Sequence, residues 1–211
     1  MQKGEACMSK NIITISREFG SGGRTIGKMV AEKLGYKFYD SEIIDRVIKE
    51  SGLSREIVEK YDEYATHKSS FLYSIAINST NVSTDSYHGT SFASQVHIAQ
   101  IRVINEIAKE GNCVIIGRGA DYILRDRDDV LNVFVYADMK YKCDRVLSLY
   151  GPTDKKIEDR IKEKDTKRRV FYRSFAMREW GIYQNYHMML DSSAVGLERC
   201  ADMISDVIAA K

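Results

Sequence analysis

Short, almost wholly apolar runs alternate along this chain with longer stretches whose apolar residues recur every three or four positions. Residues 11–16 carry Ile12, Ile13 and Ile15 and stop at a glycine-rich turn, which reads as a buried strand. Residues 24–34 follow with Ile26, Met29, Val30 and Leu34 at helical spacing, and Gly35 is placed as a C-cap. Residues 36–39 predict a short strand. Residues 42–50 predict a helix with Ile43, Ile44, Val47 and Ile48 inward, and Ser54 is placed to cap another. Residues 66–94 change character: they are rich in Ser, Thr and Asn, and read as a mobile insert. Helical spacing resumes over 95–109, apolar strands are predicted at 112–116 and 130–136, and charged helices at 140–149 and 154–173. A short strand at 188–190 and a helix over 197–209 close the chain. Strands separated by helices predict an α/β protein with a parallel sheet covered on both faces. Such sheets bind ligands beyond the carboxyl ends of their strands.

Composition narrows the picture only modestly. The 211 residues fit one α/β domain over 11–211, with residues 1–10 as a flexible extension. A net charge of +2 is too mild to argue for nucleic acid, and no apolar run approaches the ~20 residues that cross a bilayer. Cys7, Cys113, Cys143 and Cys200 form no C-x-x-C pair, so they read as reduced thiols of a cytoplasmic protein. His67, His88, His97 and His187 lack metal-ligand spacing.

The candidate chemistry starts after the first strand, at Arg17-Glu18-Phe19-Gly20-Ser21-Gly22-Gly23-Arg24-Thr25. Strand, glycine turn and helix are the context of a phosphate cradle, in which backbone N–H groups and the helix N-terminus face the anion. Against the pattern G-x-x-x-x-G-K-[ST], or G-K-G-T in several nucleotide kinases, Arg17 stands at the first glycine and Gly23 at the lysine. Arg24 or Arg17 is then the candidate replacement for the lysine charge, and Thr25 the candidate hydroxyl for Mg²⁺. Two other readings stay open here. One is a ligand-free glycine turn. The other is a dinucleotide site, with Gly20-x-Gly22 opening the helix, Asp40 as the ribose contact, and Thr25 where a third glycine is expected.

Later motifs add a resemblance. Ile13-Thr14-Ile15-Ser16 and the glycine turn are similar to the start of bacterial cytidylate kinases. Tyr39-Asp40-Ser41-Glu42-Ile43-Ile44-Asp45-Arg46 resembles their D-S-G-x-x-Y-R stretch, with Ser41 and Arg46 matching and Glu42 and Asp45 departing. Gly117-Arg118-Gly119-Ala120-Asp121 resembles their G-R-D, with the aspartate displaced. Residues 161–165 look like the start of their arginine-rich lid, and Leu190-Asp191-Ser192 like their final strand. Over about residues 12–208, the order of these motifs resembles the divergent cytidylate-kinase-like family.

The resemblance implies a three-layer P-loop fold with a five-stranded parallel sheet, an acceptor-binding insert over about 41–94 and a helical lid over about 154–187. It implies ATP and Mg²⁺ as co-substrate and cofactor, nucleotides as partners, and CMP or dCMP as acceptor. Gly20, Ser21, Gly22, Gly23 and Thr25, with Arg17 and Arg24, are implied to bind donor phosphate. Asp40, Ser41, Arg46, Arg118 and Asp121 are implied at the acceptor, with Arg102 added as a candidate on the preceding helix. Arg24 and Arg118, with Arg169 and Arg173 sharing one face of the lid helix, are the expected catalytic cations. A nucleotide-binding regulator without turnover remains an alternative because the lysine is missing and the D-S-G-x-x-Y-R stretch is altered, and so does a kinase for another small acceptor, because the insert at 66–94 occupies the region that covers the acceptor.

Overall fold

The computed structural model describes residues 11–62 and 91–210. Its strands are β1 (Ile12–Arg17), β2 (Lys37–Tyr39), β3 (Cys113–Ile116), β4 (Val130–Tyr136) and β5 (Met188–Asp191). They form one parallel five-stranded sheet in the order β2-β3-β1-β4-β5. Every residue of β1 is buried, as the central position requires. β1 pairs with β3 on one side and with β4 on the other, so strand order reverses there. A crevice at the carboxyl ends of these strands is the topological consequence.

Side chains alternate across the sheet and divide the core in two. Ile13 and Ile15 pack with Val114, Ile116, Val133 and Val135 beneath α1 (Gly23–Leu34) and α9 (Leu197–Ala209). Ile12, Ile115 and Val130 face the other way. They meet α2 (Glu42–Ser51), α3 (Arg55–Tyr61) and α4 (Phe92–Glu110) through Ile43, Val47, Val58, Val103 and Ile107. Four further helices complete the described chain: α5 (Ala120–Ile123), α6 (Met139–Tyr150), α7 (Ile157–Ala176) and α8 (Ser192–Val195).

Gly35 ends α1 in the left-handed conformation, and the Ser54 side chain caps α3 by accepting from the Ile57 N–H at 3.4 Å, both as expected. Two boundaries move. α4 starts at Phe92 rather than Gln95, because Ser91 caps it and accepts from the Ser94 N–H at 3.3 Å. The charged helix expected at 154–173 runs from Ile157 to Ala176. The extension 1–10 and most of the expected insert, with Cys7, His67 and His88, lie outside the described residues. Cys113, Cys143 and Cys200 are unpaired and buried, and burial pushes the Cys113 thiol up to about 12, so these side chains act as small apolar groups. Among the described residues no helix is long and apolar enough to cross a membrane.

Candidate active site

The glycine turn links β1 to α1 and takes its shape from contacts on both sides. Gly20 and Gly22 have φ of 87° and 83°, which side-chain-bearing residues rarely adopt. A Cβ on Gly20 would meet Val146 and the Lys142 carbonyl of α6, and one on Gly22 would meet Leu197 of α9. The turn is pinned from within by Ser21, whose hydroxyl donates to the Glu18 carbonyl at 2.9 Å. From outside, the Ser192 hydroxyl donates to the Ser21 carbonyl at 2.5 Å and to the Tyr136 carbonyl at 3.1 Å. Glu18 in turn receives Lys142 Nζ at 2.7 Å and the Ala137 N–H at 3.4 Å. α1 then begins with no side-chain cap and no acidic residue in its first turn. Its leading N–H groups therefore present partial positive charge to the crevice.

Arginines converge on the same place. Ser16, Arg17, Gly117, Arg118, Arg168 and Tyr172 line one small cavity at the ends of β1 and β3. Arg17, Arg118 and Arg168 are only 4%, 1% and 6% exposed, so their charges sit where the dielectric is low. Arg118 has φ of +55°, between Gly117 and Gly119 at +66° and +64°. That non-glycine backbone strain costs about 1–3 kcal/mol. It is held by Gln100 of α4, whose amide donates to the Arg118 carbonyl at 2.8 Å. Asp62 receives Arg118 Nε and Nη2 at 3.1 and 3.4 Å.

Arg24 Nε meets Asp40 at 2.5 Å, and Arg118 Nη1 lies 3.7 Å from the other oxygen of the same carboxylate. Asp40 thus bridges the glycine turn and the loop after β3. Arg168 donates to the Arg17 carbonyl at 3.0 Å, and Asp165 accepts the Phe19 N–H at 2.6 Å. These two contacts hold α7 against the turn. Burial raises the Asp165 carboxyl to about 6, against the opposing pull of the Phe19 N–H and Arg168.

Thr25 is exposed, and its hydroxyl accepts from Arg145 Nη2 of α6 at 2.7 Å. Among the described residues no group of three or more His, Cys, Asp or Glu side chains is arranged to cage a metal. A hydroxyl beside a glycine turn is compatible with Mg²⁺, which keeps most of its oxygens as water and substrate phosphate, although the Arg145 guanidinium is a competing cation on the same oxygen. Asp121 does not add to that donor set. Its two oxygens accept from Ser16 at 3.3 Å and from Tyr172 at 2.8 Å, and burial together with the Asp121 charge pushes the Tyr172 phenol upward.

The structure therefore gathers Arg17, Gly20 to Thr25, Asp40, Arg118 and Asp121 at one end of the sheet, and leaves other candidates outside it. Arg46 stacks over Tyr39 at 5.0 Å and reaches Glu110 at 3.5 Å, at the far end of α4. Arg102 is exposed and pairs with Glu50 at 3.2 Å. Ser41 is exposed at the start of α2 and makes no capping bond. Arg169 approaches Trp180 at 5.9 Å and Arg173 approaches Glu179 at 3.7 Å, so the cation of α7 that enters the crevice is Arg168. Trp180 and Tyr186 pack on Phe134, with ring centroids 5.1 and 5.0 Å away. Arg145 and Asp62 are not singled out by the sequence, and Arg168 is not set apart from the other basic residues of the lid segment. A usable signal existed for one of them: Arg168 shares the helical stripe of Ile161, Tyr172 and Ala176, which are buried.

Comparison with known proteins adds the family and the fold. The chain is 26% identical over 203 residues to a cytidylate kinase of Archaeoglobus fulgidus, covering 94% of this chain and 95% of that one. It is 29% identical over 164 residues to a cytidylate kinase of Pyrococcus horikoshii, covering 77% and 70%. In structure it is similar to an uncharacterised protein of Eubacterium ventriosum, with TM-score 0.69, 24% identity and coverage of 95% and 99%. It also shares its fold with shikimate kinase of Acinetobacter baumannii, with TM-score 0.53, 16% identity and coverage of 97% and 95%. Residues 12–194 match the family model described as the cytidylate kinase-like family, and the chain belongs to that family.

Proposed function

We propose that this protein transfers the γ-phosphoryl group of ATP to a nucleoside monophosphate, CMP or dCMP. The observation that carries the reading is the meeting of buried Arg17, Arg118 and Arg168 beside the uncapped N-terminus of α1. Phosphoryl transfer between nucleotides is chiefly positioning and charge neutralisation, and planar guanidinium groups engage two phosphate oxygens at once. The leading amides of α1 receive the donor phosphates, with Arg145 and Arg24 at the edge of the turn. Arg118 addresses the acceptor phosphate, and Arg17 and Arg168 face the group in flight. Mg²⁺, held through the Thr25 hydroxyl, would supply further neutralisation of the donor phosphates. An oxygen of the acceptor phosphate attacks the γ-phosphorus and ADP leaves. Because that phosphate is already anionic, no general base is required. In this reading α7 is the lid, latched by Asp165 and Arg168. The choice of acceptor is supported by the archaeal relatives, which are named cytidylate kinases.

A coupled assay with ATP, Mg²⁺ and a panel of CMP, dCMP, UMP, AMP and dTMP tests this. Turnover confined to the cytidine nucleotides is expected. Turnover of another monophosphate alone would overturn the acceptor, and no turnover by folded protein would overturn the kinase. The second reading, a nucleotide-binding regulator, draws on the Arg24–Asp40 ion pair, which engages the nearest substitute for the missing lysine. Calorimetric binding of ATP without turnover would favour it.

A further inference from the structure

A second polar pocket of about 300 Å³ lies on the sheet face away from α1, near the start of β4. Asp121 forms part of its lining, and the opposite side of that carboxylate is occupied by Ser16 and Tyr172 of the active-site cavity. The two sites are therefore neighbours with a wall between them.

The polar atoms of this pocket are mainly donors. The Asn132 side-chain oxygen accepts from Thr14 at 2.7 Å, which leaves its NH₂ group to the pocket. Nδ1 of His187 accepts the Asn132 N–H at 2.9 Å, so the neutral ring carries its proton on Nε2. Arg125 and Arg178 share the Tyr122 ring at 4.3 and 5.5 Å from its centroid. Among the described residues Arg178 has no carboxylate partner, and Arg125 is exposed, with Nη1 donating to the Tyr122 carbonyl at 2.9 Å and Nη2 lying 3.4 Å from Asp126. Arg127, by contrast, is committed to Asp129 at 2.9 and 2.7 Å. Of the two lining carboxylates, Asp121 is committed to hydroxyl donors and Asp128 is exposed. Two like charges brought to one ring repel unless an anion joins them.

We propose that this pocket is a binding site for a small phosphate monoester, separate from the phosphoryl-transfer site and independent of the reading given to that site. Donors from two guanidinium groups and an amide outnumber the acceptors of a planar carboxylate and suit the several oxygens of a tetrahedral phosphate. The volume admits a phosphate with a small organic group attached.

The test is a titration of the full chain with inorganic phosphate at constant ionic strength, followed by NMR of the His187 ring, the arginine Nε–H groups and the Gly20–Thr25 amides. Two independent saturable responses are expected, one at His187, Arg125 and Arg178, and one at the glycine turn. In the Arg125→Gln/Arg178→Gln variant the His187 response should weaken at least tenfold. The glycine-turn response should persist, which also shows that the variant is folded. Response at the glycine turn alone, or a His187 response that survives both substitutions, would overturn the proposal. Equal saturation by acetate would overturn the assignment to phosphate.

Discussion

Arg17 and Gly23 are sterically reciprocal: a Cβ placed on Gly23 would lie 2.5 Å from the Arg17 Cβ and 3.0 Å from its Cγ. In the usual phosphate-loop pattern glycine comes first and lysine follows; here the cation has moved to the first position and the glycine to the second. The exchange keeps one cation and one bare backbone in the turn, but sends the charge towards Arg118 and Arg168. Gly23→Lys alone should destabilise the fold by about 1–3 kcal/mol through overpacking. Arg17→Gly/Gly23→Lys should recover most of that loss. Urea unfolding of the four corners of this cycle reads the coupling, expected at ~1 kcal/mol or more. Additive effects would show that the two positions do not compete for space.

Asp40 is the carboxylate that an incoming phosphate would have to replace. It is buried, and it holds Arg24 and Arg118 together. Asp40→Asn should therefore lower stability by about 1–3 kcal/mol, because buried Arg118 loses one carboxylate neighbour and keeps Asp62. Phosphate or ATP would then neutralise more charge in the variant than in the wild type. The thermal midpoint should rise more on adding either ligand to Asp40→Asn. An equal or smaller rise would mean that Asp40 does not stand in for phosphate.

The fold was readable because its strands are apolar without interruption and its turns carry glycines whose conformation only glycine tolerates well, as at Gly20, Gly22 and Gly35. The glycine turn after β1 was readable for the same reason. The partners of the arginines were not. On α7 the buried stripe is Ile161, Asp165, Arg168, Tyr172 and Ala176, so two charged residues sit inside while Arg169 and Arg173 sit outside. A polarity pattern assigns such a stripe to solvent, and only the turn it packs against reverses that. Arg46 lies apart from the cavity for the opposite reason. Its spacing matched the motif, but Glu110, 64 residues away, offers a counter-charge that local sequence does not show. Asp62 and Arg145 act through equally distant contacts, with Arg118 and Thr25.

Arg145 reaches the donor side of the turn through the Thr25 hydroxyl. In the proposed kinase, Arg145→Ala should remove one charge-assisted contact to ATP, about 1.5–3 kcal/mol. The KM for ATP should rise by roughly one to two orders of magnitude while the KM for the acceptor stays within about twofold. Steady-state kinetics with each substrate varied in turn separates these outcomes. An increase confined to the acceptor would place Arg145 on the wrong side of the reaction.

Asp165 should make the latch between α7 and the glycine turn depend on pH. Burial raises its carboxyl from the ordinary 3.8 to about 6, so the folded state favours the protonated form. Between those two values the native chain binds more protons than the unfolded chain, and stability falls as pH rises. The contribution is fully present below 3.8 and lost as pH passes through about 6. Its size is at most about 3 kcal/mol. Glu163 opposes it in the wild type: held down to about 2 by hydrogen bonds from Lys155 and Lys167, it gives stability that grows between about 2 and its ordinary 4.5 and is fully present above that. The informative quantity is therefore the stability of wild type minus that of Asp165→Asn, in which the Glu163 contribution cancels. Measured by urea unfolding at pH 4.5 and 7.5, this difference should favour the wild type more at the acidic pH. A flat or reversed difference would show that Phe19 N–H and Arg168 outweigh desolvation, and that the latch holds Asp165 as an ordinary carboxylate.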